Sequence, residues 1–150
     1  PKLEKGPDNL IEILLEYKSL EQNVRVILAG NRRDYIINKL IENKINYSYF
    51  NMVSYKELNE LYNILNLYIV SSRVEGGPQA IVECALTKTP LISTNVGIAS
   101  EILHPDSIFN MNNFTSAIPN IDHAYDKVQK LTIPKGFEIF IEIMKEIYES

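Results

Sequence analysis

Short runs rich in β-branched residues alternate with helical stretches along this chain, and that alternation limits the fold more than any other feature. The runs predict strands at Val24–Ala29, Tyr47–Phe50, Leu67–Ser71, Leu91–Thr94 and Ser107–Phe109, because such residues favour extended chain. Strands joined through helices imply right-handed crossovers between parallel neighbours. We therefore expect a Rossmann-like α/β domain, a parallel sheet with helices on both faces.

Helices are expected between these strands. Apolar residues recur at helical spacing in residues 7–20 and again in 35–41,. Ser54 and Glu57 have the spacing of a capping box, so a helix should begin there. A further helix is predicted over Pro78–Leu86, with the proline as its first residue, because the missing N–H would be unpaired at that position anyway.

Length and composition indicate one ordinary folded domain. The chain has 150 residues, 45% of them hydrophobic and 23% charged, and a chain of this size forms a single core. A net charge of -4 provides no overall positive field for a nucleic acid or an anionic bilayer. With no membrane-spanning run and Cys84 as the one cysteine, we expect a cytoplasmic protein in which Cys84 fills a buried space.

The segment Ser71–Gln79 leads from a predicted strand into a helix and has the features of an anion site. A helix N-terminus there would present unpaired N–H groups, and Gly76 and Gly77 allow close backbone approach. Glu75 precedes this helix and Glu83 follows about two turns later, so both carboxylates could contact one ligand. The spacing alone is weak evidence, since solvated helix glutamates are common.

The wider pattern from residue 71 to residue 101 combines a serine, a Glu-Gly pair, a helical glutamate, a proline before the next strand, and a later glycine and glutamate. The matching residues are Ser72, Glu75, Gly76, Glu83, Pro90, Gly97 and Glu101. This pattern resembles the donor-binding core of glycosyltransferase family 4, which comprises retaining enzymes of the GT-B fold. The resemblance covers roughly residues 3–109 and includes Lys5-Gly6, the strand end at Gly30, Phe50-Asn51 and Glu57-Leu58.

Several positions depart from the family pattern. The usual Gly-x-Gly after the second strand is Gly30-Asn31-Arg32 here, and Asn51 stands where glycine is usual. Cys84 replaces the usual alanine, and Thr89 lies in the segment where the family has Gly-x-Pro. None of these departures removes a charged functional residue.

The resemblance implies a role for each charged residue of the pattern. Glu75 would be the catalytic residue and would face the sugar hydroxyls of a nucleotide-sugar donor. Glu83 would accept hydrogen bonds from the nucleotide ribose, and Lys5 would reach the diphosphate.

The remaining donor contacts implied by the resemblance come from uncharged groups. The residues are Ser72, Gly76, Gly77, Gln79 and Ala80, with Asn51 and Met52 against the base. The helix terminus and Lys5 would stabilise the charge of the leaving diphosphate. The resemblance therefore implies no cofactor and no metal.

A GT-B enzyme has two such domains, and this chain resembles only the C-terminal, donor-binding one. The N-terminal domain, which binds the acceptor glycan or glycolipid and could lie at a membrane surface, is expected to be absent. Only residues 1–4 precede Lys5, so we expect the first, central strand to be truncated. We expect the isolated domain to be inactive and its open sheet to be filled by earlier residues, a partner strand or self-association.

Three alternatives to a transferase share the fold. A dinucleotide-binding oxidoreductase needs Gly-x-Gly-x-x-Gly after its first strand, and the sequence has no such run. The second alternative is a non-catalytic module of the same fold that binds nucleotide sugars or has a regulatory role. It stays open, although the retention of Lys5, Glu75 and Glu83 argues mildly against it. A nucleotide-sugar 2-epimerase fits the Glu75 to Glu83 pattern less well than a transferase.

Other features are interpreted as structural. His104 and His123 are expected to be isolated surface residues, and the tyrosines from Tyr47 to Tyr68 to be core edges without a role. Apolar residues at helical spacing from Phe137 to Tyr148 predict a final helix whose apolar stripe packs on another surface.

Overall fold

A computed structural model describes residues 2–20 and 23–149 of the chain. Its strands are β1 (Arg25–Ala29), β2 (Asn46–Phe50), β3 (Tyr68–Val70), β4 (Leu91–Thr94) and β5 (Ile108–Phe109). Its α-helices are α1 (Pro7–Ser19), α2 (Asp34–Glu42), α3 (Tyr55–Ile64), α4 (Gln79–Leu86), α5 (Ala99–Ile102), α6 (Ile121–Gln129) and α7 (Lys135–Glu149). The predicted alternation of strands and helices is confirmed.

The parallel strands form two sheets, and the gap between them falls where an open sheet centre was expected. β1 pairs with β2, and β3, β4 and β5 form a second sheet in that order. The division falls between β1 and β3, where the expected strand order places the central strand before Lys5. Within the described part of the chain, residues 2–20 contain no strand, so nothing there pairs the two sheets.

Helices cover both faces of the three-stranded sheet, as predicted. Leu91 of β4 packs into one core with Ile81 and the buried Cys84 of α4. The next residue, Ile92, packs on the opposite face against Ile13 of α1, because successive side chains of a strand point to opposite faces. The predicted burial of Cys84 is also confirmed.

Helix α1 joins the two sheets. Its Ile13 belongs to the core beside β4 and β5, while Ile11 and Leu14 pack in a separate core with Leu28 of β1. One helix therefore contributes to both cores, and the chain segment that precedes it is held at a fixed place relative to both sheets.

Two predicted helix starts have different outcomes. The Ser54 and Glu57 capping box is confirmed, with Ser54 Oγ accepting from the Glu57 N–H and Glu57 Oε2 accepting from the Ser54 N–H. Pro78, by contrast, is the N-cap of α4 and not its first residue, because its ψ of 106° is extended. Glu83 lies four residues beyond Gln79, little more than one turn into α4; the expected two turns is too many even from Pro78, which is five residues away.

Helix α7 does not bury its apolar stripe. None of its residues is buried, and its exposed apolar side chains are Phe137, Ile139, Phe140, Ile141, Ile143, Met144, Ile147 and Tyr148. The expectation that the stripe packs on another surface is therefore wrong for the part of the chain described. Across the described ranges, no helix combines the length and apolar character needed to cross a membrane.

Candidate active site

The loop after β3 is held against the turn that precedes α1. Backbone N–H groups of Arg73 and Val74 donate to the Glu4 carbonyl at 2.7 and 3.2 Å. Gly6 adopts a φ of 56°, and a Cβ at this position would lie 1.9 Å from the Ser71 carbonyl oxygen. Only glycine allows these two backbone segments to come so close.

A charged network reinforces this contact. The Arg73 guanidinium donates to both carboxylate oxygens of Asp8, at 2.7 and 2.6 Å, and also to Asn9 Oδ1 and the Leu3 carbonyl. The hydrogen bond from Arg73 lowers the pKa of Asp8 to about 2. Asn9 Nδ2 in turn donates to the Ser71 carbonyl at 3.2 Å. The loop is therefore fixed at its base by groups 62 to 65 positions earlier.

Glu75 and Lys5, both predicted site residues, are brought together by this arrangement. Lys5 Nζ donates to Glu75 Oε1, and Ser72 Oγ donates to Glu75 Oε2 at 2.8 Å. The Glu75 side chain is 19% exposed and that of Lys5 is 52% exposed. Thr94 at the end of β4 holds the Ser72 carbonyl through its Oγ1 at 2.6 Å. Each oxygen of Glu75 thus has a donor, one of them cationic.

The glycines beside Glu75 differ in what surrounds them. A Cβ at Gly76 or Gly77 would meet no atom within 4 Å, so internal packing does not explain why these two residues are glycines. A Cβ at Gly97 would lie 2.5 Å from the Gly76 carbonyl oxygen, and its φ is 50°. Gly97 therefore supports the loop from within, while the open side of Gly76 and Gly77 faces free space.

The N-terminus of α4 follows directly. Pro78 is buried, Gln79 is exposed and Ala80 is half-buried; no side chain caps this helix. The Ile81 N–H bonds to the Pro78 carbonyl, which leaves the N–H groups of Gln79 and Ala80 as the first-turn donors that a helix cannot pair internally. The predicted anion-binding groups are therefore at an accessible helix end.

Glu83 is placed in a second, separate set of contacts. Tyr62 Oη donates a 2.7 Å hydrogen bond to Glu83 Oε2. Burial and this bond raise the pKa of Tyr62. Burial raises the pKa of Tyr68 to about 12, and the charges of Glu83 and Glu75 add to that effect.

Tyr62 is a neighbour of the predicted site residue Glu83 that the sequence patterns did not reveal. It was interpreted with the other tyrosines as a core edge, and its ring is indeed buried. Its hydroxyl is nevertheless bonded to a predicted site residue 21 positions away. The one usable signal was its polar atom, because a buried tyrosine hydroxyl normally has a hydrogen-bond partner.

Asn51 and Met52 lie apart from these two sets of contacts. They follow β2, where Asn51 Oδ1 accepts from Tyr49 Oη at 3.0 Å and Met52 is 81% exposed. Among the hydrogen bonds and ion pairs of the described residues, none links either residue to Glu75 or Glu83. Their predicted contact with the base remains a prediction.

The two histidines are far apart in sequence and His104 lies in a loop, as expected, but their side chains are neighbours in the fold. The rings of His104 and His123 meet edge to face at 5.2 Å, and His104 Nδ1 lies 3.4 Å from Asp106 Oδ2. The contact follows from the packing of α5 against α6. Over residues 2–20 and 23–149, no three His, Cys, Asp or Glu side chains form a group that could hold a metal ion.

The family model described as Glycosyl transferases group 1 matches residues 2–134, and the chain belongs to this family. It is a glycosyltransferase domain. Helix α7 lies beyond the matched residues. No curated protein matches the chain.

Proposed function

We propose that this domain binds a nucleotide-diphosphate sugar and that the sugar is transferred with retention of its anomeric configuration. The observation that carries the proposal is the meeting of Lys5 and Glu75 beside Gly76, at the open N-terminus of α4. A carboxylate and a cation are therefore in contact in the loop that leads directly to the first N–H groups of α4. In a nucleotide-diphosphate sugar, the sugar hydroxyls can donate to the carboxylate, and the phosphate oxygens can accept from the cation and the N–H groups.

The cationic groups suit the leaving group of such a reaction. Negative charge builds up on the diphosphate as the glycosidic bond breaks, and a fixed lysine with a helix N-terminus stabilises that charge without rearranging. Lys5 is paired with Glu75, so a bound diphosphate would share its ammonium group with the carboxylate. No metal is part of this proposal.

The two carboxylates have different proposed roles. Glu75, in the loop beside the glycines, contacts the sugar and is the catalytic residue. Glu83, one turn into α4, accepts hydrogen bonds from the ribose, with Asn51 and Met52 beside the base. We propose Gln79 and Ala80 as N–H donors to the phosphates.

We propose that the enzyme to which this domain belongs is cytoplasmic and acts in surface polysaccharide or glycoconjugate synthesis. The acceptor glycan or glycolipid would be bound by an N-terminal domain outside this chain, since the site described here contains donor groups only. The decisive test is the stereochemistry of the product formed by the enzyme containing both domains, followed by NMR of the anomeric proton. Retention is expected. An inverted product, or turnover with lipid-phosphate donors alone, would contradict the proposal.

The isolated chain is proposed to associate with itself. β1 and β3 each pair with a single strand among the described residues, and strands with an open edge are prone to pair with another chain. Sedimentation velocity of the 150-residue chain should show dimers or larger species, and a transfer assay on it should show no turnover. A stable, active monomer would refute both expectations.

A further inference from the structure

Tyr62 joins two parts of the molecule, the core and the donor site. Its ring is buried in the core that α3 and α4 share, 5.7 Å from the ring of Tyr68. Its hydroxyl donates to Glu83 Oε2. Since an ionised carboxylate can accept about four hydrogen bonds, Glu83 can still accept from a ligand hydroxyl while this bond holds its orientation.

Thr89 holds Tyr62 and α4 together by a second route. The buried Thr89 Oγ1 donates to the Tyr62 carbonyl at 3.0 Å. The Thr89 N–H donates to the carbonyl of Cys84, the neighbour of Glu83, at 2.9 Å. The phenol and the carboxylate are therefore tied both through their side chains and through their backbones, which restricts the movement of either relative to the other.

We propose that Tyr62 is a positioning residue that orients Glu83 toward the donor ribose and thereby sets the preference for ribose over 2′-deoxyribose. The inference rests on the proposed function, in which Glu83 accepts from the ribose. Because the Tyr62 phenol holds one oxygen of Glu83, the carboxylate cannot reorient to find another partner when the ligand lacks the ribose hydroxyl. A site built to bond a hydroxyl strongly rejects the analogue without it.

The test is calorimetric titration of the enzyme with UDP, GDP and ADP, and then with the 2′-deoxy form of whichever binds most tightly. Tyr62→Phe keeps the ring and removes only the hydroxyl. It should weaken ribonucleotide binding about 10-fold, the size expected for one hydrogen bond to a charged group, leave 2′-deoxynucleotide binding unchanged, and so lower the ribose to deoxyribose ratio by the same factor. Tyr68→Phe, which removes a hydroxyl from the same core, should leave both quantities unchanged.

A double-mutant cycle separates positioning from a merely structural effect. If Tyr62 acts through Glu83, Tyr62→Phe should have no further effect on nucleotide affinity in a Glu83→Ala background. Thr89→Val, which removes the backbone tie, should lower the ribose preference in the same direction but by less. Thermal unfolding of each variant establishes that it is folded.

The outcomes distinguish a failure of the role proposed for Tyr62 from a failure of the proposed function. A wild-type enzyme that prefers ribose and a Tyr62→Phe variant with the same preference would overturn this inference and leave the proposed function standing. An equal loss from Tyr62→Phe in both backgrounds would also overturn it. If the wild-type enzyme bound none of the three nucleotides, the proposed function would fail, and the inference with it.

Discussion

Glu75 and Glu83 lie close in sequence but are held by opposite kinds of partner. Glu75 lies in a loop and is opposed by the Lys5 ammonium, which comes from 70 positions earlier. Glu83 lies in α4 and is held by the neutral Tyr62 hydroxyl. A carboxylate next to a cation is suited to a step in which charge changes. A carboxylate held by a neutral donor is suited to binding neutral hydroxyls.

Removing each carboxylate charge in turn is the strongest test of this comparison. In the two-domain enzyme, Glu75→Gln should lower kcat about 100- to 1,000-fold, as the loss of a transition-state contact does. Glu83→Gln should mainly raise KM for the donor, about 10-fold. Steady-state kinetics with varied donor concentration measures both. Equal, small effects of the two substitutions would mean that they are ordinary surface carboxylates.

Gly6→Ala should disturb the Glu75 side of the site only. The new Cβ would meet the Ser71 carbonyl at 1.9 Å in a left-handed backbone, so we expect a loss of about 2 to 4 kcal/mol in the free energy of unfolding, measured by urea denaturation. Gly76→Ala, whose Cβ meets nothing within 4 Å, is the matched control and should be near neutral. If both variants had the same stability, the docking of the first turn on the loop would be unimportant.

Lowering the pH should remove the stabilisation that the Asp8–Arg73 ion pair gives to the fold, on the same side of the site as Glu75. The pKa of Asp8 is about 2 in the folded protein, against an ordinary value of 3.8, so its ion pair with Arg73 stabilises the fold above pH 4 and is lost as the pH falls toward 2. Both side chains are over two-fifths exposed, so screening limits the contribution to about 1 kcal/mol or less.

The variant Asp8→Asn measures this contribution. Urea denaturation should show it to be less stable than the wild type at pH 7, with the difference shrinking below pH 4 and vanishing near pH 2. Asp126→Asn, at an exposed position on α6, should show no such trend. A difference between Asp8→Asn and wild type that did not vary with pH would rule out the ion pair as its source.

The smallest effect is expected at Arg32, which stands where the related enzymes have the second glycine of Gly-x-Gly. It adopts a φ of 62°, a conformation that is strained for a side chain other than glycine. Arg32→Gly should raise the free energy of unfolding by about 0.5 to 1 kcal/mol, because relief of strain exceeds the added freedom of the unfolded chain. It should change neither kcat nor the donor KM. A kinetic effect would show that this arginine belongs to the site.

Local patterns were enough to predict most of the elements. The Ser54 and Glu57 capping box depends on residues three positions apart and was recovered in full. The start of α4 was misplaced by one residue, because proline suits both the N-cap and the first helical position and only ψ distinguishes them. The final helix was also predicted, but helical periodicity shows that a face is apolar without showing what covers it.

The sequence by itself determined the α/β class, the order of its elements and the identity of the residues at the start of α4, since these depend on neighbours along the chain. Tertiary structure alone decided that Lys5 pairs with Glu75, that Arg73 fixes the loop through Asp8, and that Tyr62 holds Glu83. The reason is physical: these contacts join atoms 21 to 70 positions apart, and such pairs are set by how helices pack on strands, which spacing in one segment does not encode.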